Sequence, residues 1–400
     1  MAPIAKILII SENLSVPYDR RVWNEANSLK RAGFEVSVIC PKGKGFEKSF
    51  EVMNGIYIYR HPLPFEARRA VGYIIEYGCS LLWEFVLSIR VFIERGFDVI
   101  HVCNPPDLIF FVGMFYKLLF KKKFVFDHHD SNPELYIAKG FEKGFLYKLL
   151  LLLEKLTFKI ADISIAPNQS YKKIAIARGG MREENVFIVR SGPMTKDFER
   201  FTNRVPDEIQ KRRKKFMVGY AGVMAKQDGV EYLLRAAAYI VYKQQRDDIL
   251  FVIIGDGIEW KELIKYSQEL QLQEYVVFTG RKIFQEMKEY LSLCDVCINP
   301  DVCCEFNDIC TPVKVLEYMA LGKPVIQFDM CEGRYSADCA SLYAKPNDEE
   351  DFARKIIDLL DDNVLRERMA VIGKKRMKDK LSWDFSEKEL IKAYGYLLKN

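Results

Sequence analysis

The feature that most constrains this chain is the rhythm of its apolar runs. Short runs without polar alternation recur, each followed by a stretch with helical spacing. Lys6–Ile10, Glu35–Cys40, Ile56–Arg60, Asp98–Cys103, Lys123–Asp127, Asp162–Ala166 and Val186–Arg190 make a first round. Helical stretches Arg20–Ala32, Arg69–Arg95, 106–120, 143–160 and 168–177 fall between them. Continuous apolar strands are buried on both faces, which demands a parallel sheet with helices on each side. A second round opens at Phe216–Ala221 and continues through Ile249–Ile254, Tyr275–Thr279, Val296–Asn299 and Pro324–Phe328. Its helices are expected at 229–244, 258–270, 284–291 and 312–321, with a helical tail from 349. Residues 196–215 are polar and aperiodic, so they read as the boundary. The expectation is an α/β protein with two doubly wound domains, 1–195 and 216–380, a linker 196–215 and a closing helix 381–400. Ligands of such sheets sit outside the C-terminal strand ends.

Charge separates the two halves. Residues 1–200 hold 29 Lys and Arg against 22 Asp and Glu, whereas the whole chain is only +5. A basic first half and a slightly acidic second half point to anionic surroundings for the first. The start of the chain runs straight into an apolar strand, without the basic region and cleavage site of a secretory signal. Ten irregularly spaced cysteines fit reduced thiols and a cytoplasmic setting better than a disulfide framework. Glu76, Glu84 and Arg90 interrupt the apolar stretch 70–93, making it a poor membrane span.

Two doubly wound domains invite a dinucleotide enzyme. The turn after the first strand, Ser11-Glu12-Asn13-Leu14-Ser15-Val16-Pro17, has no G-x-G-x-x-G, and neither has Gly219-Tyr220-Ala221-Gly222-Val223-Met224. A Walker sequence is also missing, so nicotinamide chemistry and P-loop hydrolysis are disfavoured. The most informative stretch is Thr311-Pro312-Val313-Lys314-Val315-Leu316-Glu317, continuing to Gly322. Pro312 suits a helix start and Gly322 its stop. The helix then aims free N–H groups at whatever precedes it, a place for phosphate. Lys314 and Glu317 share one face at i and i+3. A cation by the phosphates and a carboxylate for ribose hydroxyls would bind a nucleotide; the alternative is a plain surface Lys–Glu pair.

This stretch resembles the nucleotide-binding helix of family 4 glycosyltransferases. Val252-Ile253-Ile254-Gly255-Asp256-Gly257 is similar to that family's strand-then-glycine turn, and Val276 to Arg281 to its base-contacting loop. Asp127-His128-His129-Asp130-Ser131-Asn132-Pro133-Glu134 resembles its H-D-x-x-P-E segment. Leu381-Ser382-Trp383-Asp384-Phe385 is similar to the start of its last helix. The resemblance implies a GT-B fold, two Rossmann-like domains facing a cleft with the C-terminal helix crossing back. It implies a retaining transferase that moves a sugar from a nucleotide-diphosphate donor, a UDP- or GDP-sugar, to a glycan or lipid-linked acceptor, with no essential cofactor or metal. Glu317, Lys314, Lys226, Gly222, Gly255, Gly280, Arg281, Thr311, Pro312 and Arg190 would bind the donor, and His129 would orient its sugar. Asn13, Tyr18 and Arg20 would face the acceptor.

Some positions depart from that pattern. The carboxylate usual eight residues before the ribose Glu is Ile309 here, with Glu305 and Asp308 as imperfect substitutes. The usual Arg and Lys of the G-R-x-x-x-x-K-G segment fall on Val223 and Asp228. Two other functions therefore stay open: a GT-B-like nucleotide-sugar epimerase, and a non-catalytic nucleotide-sugar-binding subunit. The Asp127-His128-His129-Asp130 run could ligate a metal, and Cys294, Cys297, Cys303, Cys304 and Cys310 could hold zinc. An apolar strand around Cys297 favours structural thiols instead. Helical segments 68–95, 115–124 and 143–159 mix Trp83, Phe85, Phe92, Phe115, Phe120 and Phe145 with Arg68, Arg69, Lys117, Lys121, Lys122, Lys123, Lys143 and Lys148. Such segments suit an anionic membrane surface, with the protein peripheral on its inner face. The basic charge has no recognition motif beside it, so nucleic acid is not expected.

Overall fold

The computed structural model describes residues 3–62, 70–198 and 205–399. The chain forms two compact units, Met1–Ser191 with Phe385–Asn400, and Gly192–Asp384. In the first, strands β1 (Lys6–Ser11), β2 (Glu35–Pro41), β3 (Phe50–Met53), β4 (Ile56–His61), β5 (Val99–Cys103), β6 (Lys123–Asp127), β7 (Ile163–Ala166) and β8 (Val186–Ile188) make one sheet. Its order is β3-β4-β2-β1-β5-β6-β7-β8. Every pairing is parallel except β3 with β4. In the second, β9 (Phe216–Ala221), β10 (Ile249–Ile254), β11 (Val276–Gly280), β12 (Val296–Asn299), β13 (Val325–Phe328) and β14 (Ser341–Ala344) are ordered β11-β10-β9-β12-β13-β14. Both sheets reverse strand order beside their first strand, at β1/β5 and β9/β12. In doubly wound folds that reversal opens a crevice at the C-terminal strand ends.

Burial on both faces is clearest in β10. Ile249, Phe251 and Ile253 pack into one core of the second unit, while Leu250, Val252 and Ile254 pack into the other. A single residue of register slip would exchange the two sets. The expected parallel strands form within a residue or two of their predicted ends. Strands β3 and β14 were not expected, because each is four residues long and only part-buried. Helices Asn132–Ala138, Glu305–Ile309 and Cys331–Ala337 were also missed; at five to seven residues they are too short to display a period.

Described residues on either side of 199–204, in the stretch read as the linker, pack with the second unit. Phe198 and Ile209 are buried in its core, and the Trp383 N–H donates to the Pro193 carbonyl at 3.1 Å. Arg68, Arg69 and residues 199–204 lie outside the described residues. The last helix, Trp383–Leu397, places Tyr394 in the first unit. The Tyr394 hydroxyl lies 2.7 Å from His101 Nδ1, and its ring packs on Phe34. Arg31 bonds Glu387 at 2.7 Å, and the Tyr396 hydroxyl reaches Asn185 at 3.0 Å. Tyr394→Phe leaves a buried imidazole nitrogen without its partner, so urea denaturation is expected to show a loss of roughly 1–3 kcal/mol. Unchanged stability would mean that this bond does not anchor the helix.

Candidate active site

In the first unit the chemistry gathers where β6 ends. Asp127 is fully buried, and the guanidinium of Arg21 lies across it, with Nη2 at 2.7 Å from Oδ1 and Nε at 3.2 Å from Oδ2. Arg21 stands in the first turn of helix Arg20–Arg31, whose N-cap Asp19 accepts from the Val22 N–H. The same guanidinium donates to the Val189 carbonyl (2.8 Å) and to Ser191 Oγ (2.7 Å), joining three elements at one point. Burial by itself would raise the Asp127 pKa; Arg21, then His129 and His101, outweigh it and hold the carboxyl well below its usual range. Glu25 behaves oppositely. Its carboxyl is fully buried one turn after Arg21, and burial together with the neighbouring Asp127 charge holds it well above the usual value.

His129 Nε2 is 2.5 Å from Asp127 Oδ2, a distance at which the ring must donate. Asn104, just after β5, fixes the loop: its Oδ1 accepts from the His129 N–H at 2.7 Å, and its Nδ2 donates to the Asp130 carbonyl at 2.7 Å and to Asp107. His128 is a different residue altogether. Burial first, and Arg178 next, lower its pKa to about 3, and it packs among Phe126, Phe158 and Tyr171. Glu134 of the same segment pairs with Arg178 at 2.6 Å, which also bonds Glu154, so it braces the loop from behind. Glu25, Cys103, Asp127 and His129 offer ligand atoms within 4.8 Å of one another. Arg21 already supplies a positive charge to Asp127 there, so an ion would fit only with the guanidinium displaced.

In the second unit, glycines bring three loops together. A Cβ on Gly255 would stand 1.8 Å from the Gly222 carbonyl, one on Gly257 2.4 Å from that of Met224, and one on Gly229 1.9 Å from that of Pro300. The turns after β9, β10 and β12 thus pack backbone on backbone, which only glycine permits. Helix Val313–Leu321 lies beside them, with Pro312 as its N-cap rather than its first residue and Gly322 as its left-handed stop. Lys314 Nζ sits 2.6 Å from Asp301 Oδ1 and 3.3 Å from Asp228 Oδ1, above the Tyr220 ring. Burial opposes its charge, but Asp301, Tyr220 and Asp228 hold its pKa well above the ordinary value. Burial raises the Asp301 pKa, and Lys314 draws it back.

The residues expected from the sequence fall into separate groups. Gly222, Gly255, Thr311, Pro312, Lys314 and Glu317 belong to the loops and helix just described, and Gly280 ends β11, its carbonyl accepting from the Gly255 N–H at 3.0 Å; Glu317 is half-buried. Lys226 and Arg281 are exposed. Asp308 is engaged by the Cys331 N–H at 2.7 Å. Arg190 belongs to the first unit, after β8, and its carbonyl accepts from Ser386 Oγ. Asn13 and Tyr18 are exposed on the loop before helix Arg20–Arg31, and Arg20 is half-buried at its start. Cys294 and Cys297 are buried in the second core; burial pushes the Cys294 thiol up to about 12. Sequence reasoning missed Arg21, Glu25, Asn104 and Asp301. A basic residue in the first helical turn was the one available signal for Arg21.

Two variants test the charge cluster. Because the folded state keeps Glu25 protonated above its ordinary value of 4.5, its contribution to stability declines as pH rises from there. Glu25→Gln is expected to match the parent near that pH and to exceed it in thermal stability at pH 7–8. A difference that does not change with pH would mean that Glu25 is ionised in the fold. Arg21→Met removes the counter-ion of a buried carboxylate and is expected to cost on the order of 3–5 kcal/mol in denaturant titrations.

Comparison with known proteins agrees with this architecture. Residues 19–193 match the family described as Glycosyltransferase Family 4, and residues 215–362 match Glycosyl transferases group 1. An uncharacterized glycosyltransferase of Methanocaldococcus jannaschii is 24% identical over 388 residues, covering 92% of this chain and 91% of that protein. The N,N'-diacetylbacillosaminyl-diphospho-undecaprenol alpha-1,3-N-acetylgalactosaminyltransferase of Campylobacter jejuni is 26% identical, over 68% of this chain and 70% of its own. Among solved structures, sucrose-phosphate synthase from Thermosynechococcus elongatus superposes with a TM-score of 0.80 at 18% identity, covering 99% of both chains. HepE of Anabaena, in complex with UDP and glucose, gives 0.74 at 15%, covering 98% of this chain and all of that one. The likeness to these structures gives the fold, GT-B, and the two family matches together span most of the sequence. The chain belongs to the family 4 glycosyltransferases and is a sugar-transferring enzyme.

Proposed function

We propose that this enzyme transfers a sugar, with retention, from a nucleoside-diphosphate donor to a glycan or lipid-linked acceptor presented at an anionic membrane surface. The observation that carries the donor half is the loop cluster at β9/β12. Glycine turns there bring three loops into close contact, a helix N-terminus opens beside them, and Lys314 and Glu317 follow one turn apart. The N–H groups and Lys314 would offset the charge that grows on the leaving diphosphate. Glu317 would accept from ribose hydroxyls. His129, fixed by Asp127 and Asn104, would orient the donor sugar, with Arg190 a further donor contact and Asn13, Tyr18 and Arg20 meeting the acceptor. The HepE complex with UDP and glucose supports a uridine donor, and the relative named for a diphospho-undecaprenol substrate supports a lipid-linked acceptor.

The acceptor half draws on an exposed apolar surface. A groove of about 620 Å³ runs between helices Ala70–Glu94 and Phe110–Phe120, lined by residues such as Leu81, Leu82, Phe85, Phe111, Leu118 and Leu119. Leu82, Leu118 and Leu119 are each about two-thirds exposed. Patches of this kind mark protein or membrane contacts. Lys117 and Lys122 are already paired with Asp162 and Asp98, so the apolar side chains would carry more of the affinity than the basic ones. Among the described residues no helix is long and apolar enough to cross a membrane.

Thermal-shift screening with UDP, GDP and their sugars tests the donor, since a ligand of the native state raises its apparent stability. Glu317→Ala is expected to weaken nucleotide binding by about 1–3 kcal/mol. His129→Ala should lower turnover far more than nucleotide affinity. Affinity for nucleotide and donor unaltered by the first change would remove Glu317 from the site, and full turnover after the second would remove His129. For the membrane, Leu118→Asp with Leu119→Asp should reduce co-sedimentation with vesicles more than Lys121, Lys122 and Lys123 all changed to Gln. Negligible binding of the parent to both neutral and anionic vesicles would indicate a soluble acceptor.

A further inference from the structure

We infer that Asp228 is an internal competitor of the donor diphosphate: it holds the Lys314 ammonium in the free enzyme and limits how tightly the site takes an anionic ligand. This rests on the reading of the β9/β12 edge as the donor site. One ammonium faces two carboxylates there, and the side chains of Lys314, Asp301 and Asp228 are only 15%, 13% and 17% exposed. A diphosphate drawn to Lys314 meets more negative than positive charge at close range, where partial burial strengthens repulsion.

The two carboxylates are not equivalent. Asp301 is the nearer, at 2.6 Å, and anchors the ammonium; Asp228, at 3.3 Å, makes the longer and more exchangeable contact. Asp228 is nevertheless held in place. Its Oδ2 accepts from the Ala225 N–H, the Val302 N–H donates to the Gln227 carbonyl at 3.0 Å, Asn307 Nδ2 reaches the same carbonyl at 2.8 Å, and Gly229 lies flat against Pro300. The fold therefore fixes an acidic side chain at the position where the family resemblance places a basic one. When the nucleoside diphosphate departs, Asp228 is poised to recapture Lys314, which favours release of product, a step that often limits turnover.

The test uses the full-length protein and calorimetric titration with UDP, GDP, inorganic diphosphate and uridine. Asp228→Asn keeps an oxygen for the Ala225 N–H but removes the charge. It is expected to bind UDP or GDP at least ~5-fold more tightly than the parent, on the scale of one like charge removed. Inorganic diphosphate should tighten in the same direction, and uridine, which carries no phosphate, should be unaffected. Lys314→Met should bind the nucleotides more weakly. Asp228→Ser serves the same purpose should the Asn variant fold poorly by circular dichroism. Parent-like or weaker nucleotide binding by these variants overturns the inference while leaving the donor reading intact. Equal tightening of uridine also overturns it, because the gain would then not concern the phosphates. If neither the parent nor any variant binds UDP, GDP or uridine, the donor reading itself falls and the inference with it.

Discussion

A parallel sheet covered on both faces leaves its chain few places for polar groups. The strands must be apolar on each side, as the split of β10 between two cores shows, and the helices spend their inner faces on the same cores. Side chains that do chemistry are displaced to the strand ends, and reversal of strand order opens room for them beside β1 and β9. The charged clusters of both units are consequences of that one constraint.

The two clusters solve the same electrostatic problem in different ways. Each pairs one cation with two carboxyl groups in a site where water is scarce. In the first unit Arg21 neutralises Asp127, while burial and the Asp127 charge hold the Glu25 carboxyl well above its usual range. Arg21 is also committed to Val189 and Ser191, so the arrangement is rigid and His129 inherits its orientation from it. In the second unit Lys314 is a compact charge on a flexible stem, held by one close and one longer contact. A guanidinium fork suits a fixed scaffold, whereas an ammonium suits an exchange of partners.

Much of the fold was legible in the residues. Buried strands advertise themselves by unbroken apolar runs, and Pro312 and Gly322 bracketed a helix because their backbone preferences are local. The signals failed where elements were short or half-buried, as with β3, β14 and the helix Asn132–Ala138. The stretch 196–215, read as a boundary, holds core residues that carry no such signal. Phe198 and Ile209 are isolated apolar residues in a polar stretch, and isolated residues have no period even when the core needs them.

For the site, the division is equally physical. The sequence by itself determined the α/β class, the two rounds of strands, the glycine turns and the Lys314–Glu317 helix, since each depends on neighbours within a few residues. Only the tertiary structure decided that Arg21 lies across Asp127, that His128 is core while His129 turns to that carboxylate, and that Asp228 and Asp301 share Lys314. Those pairs are separated by 106, 86 and 13 residues for Arg21–Asp127, Asp228–Lys314 and Asp301–Lys314. Coulomb attraction and desolvation depend on distance in space, and no local pattern encodes which charges the crossovers of a sheet will bring together.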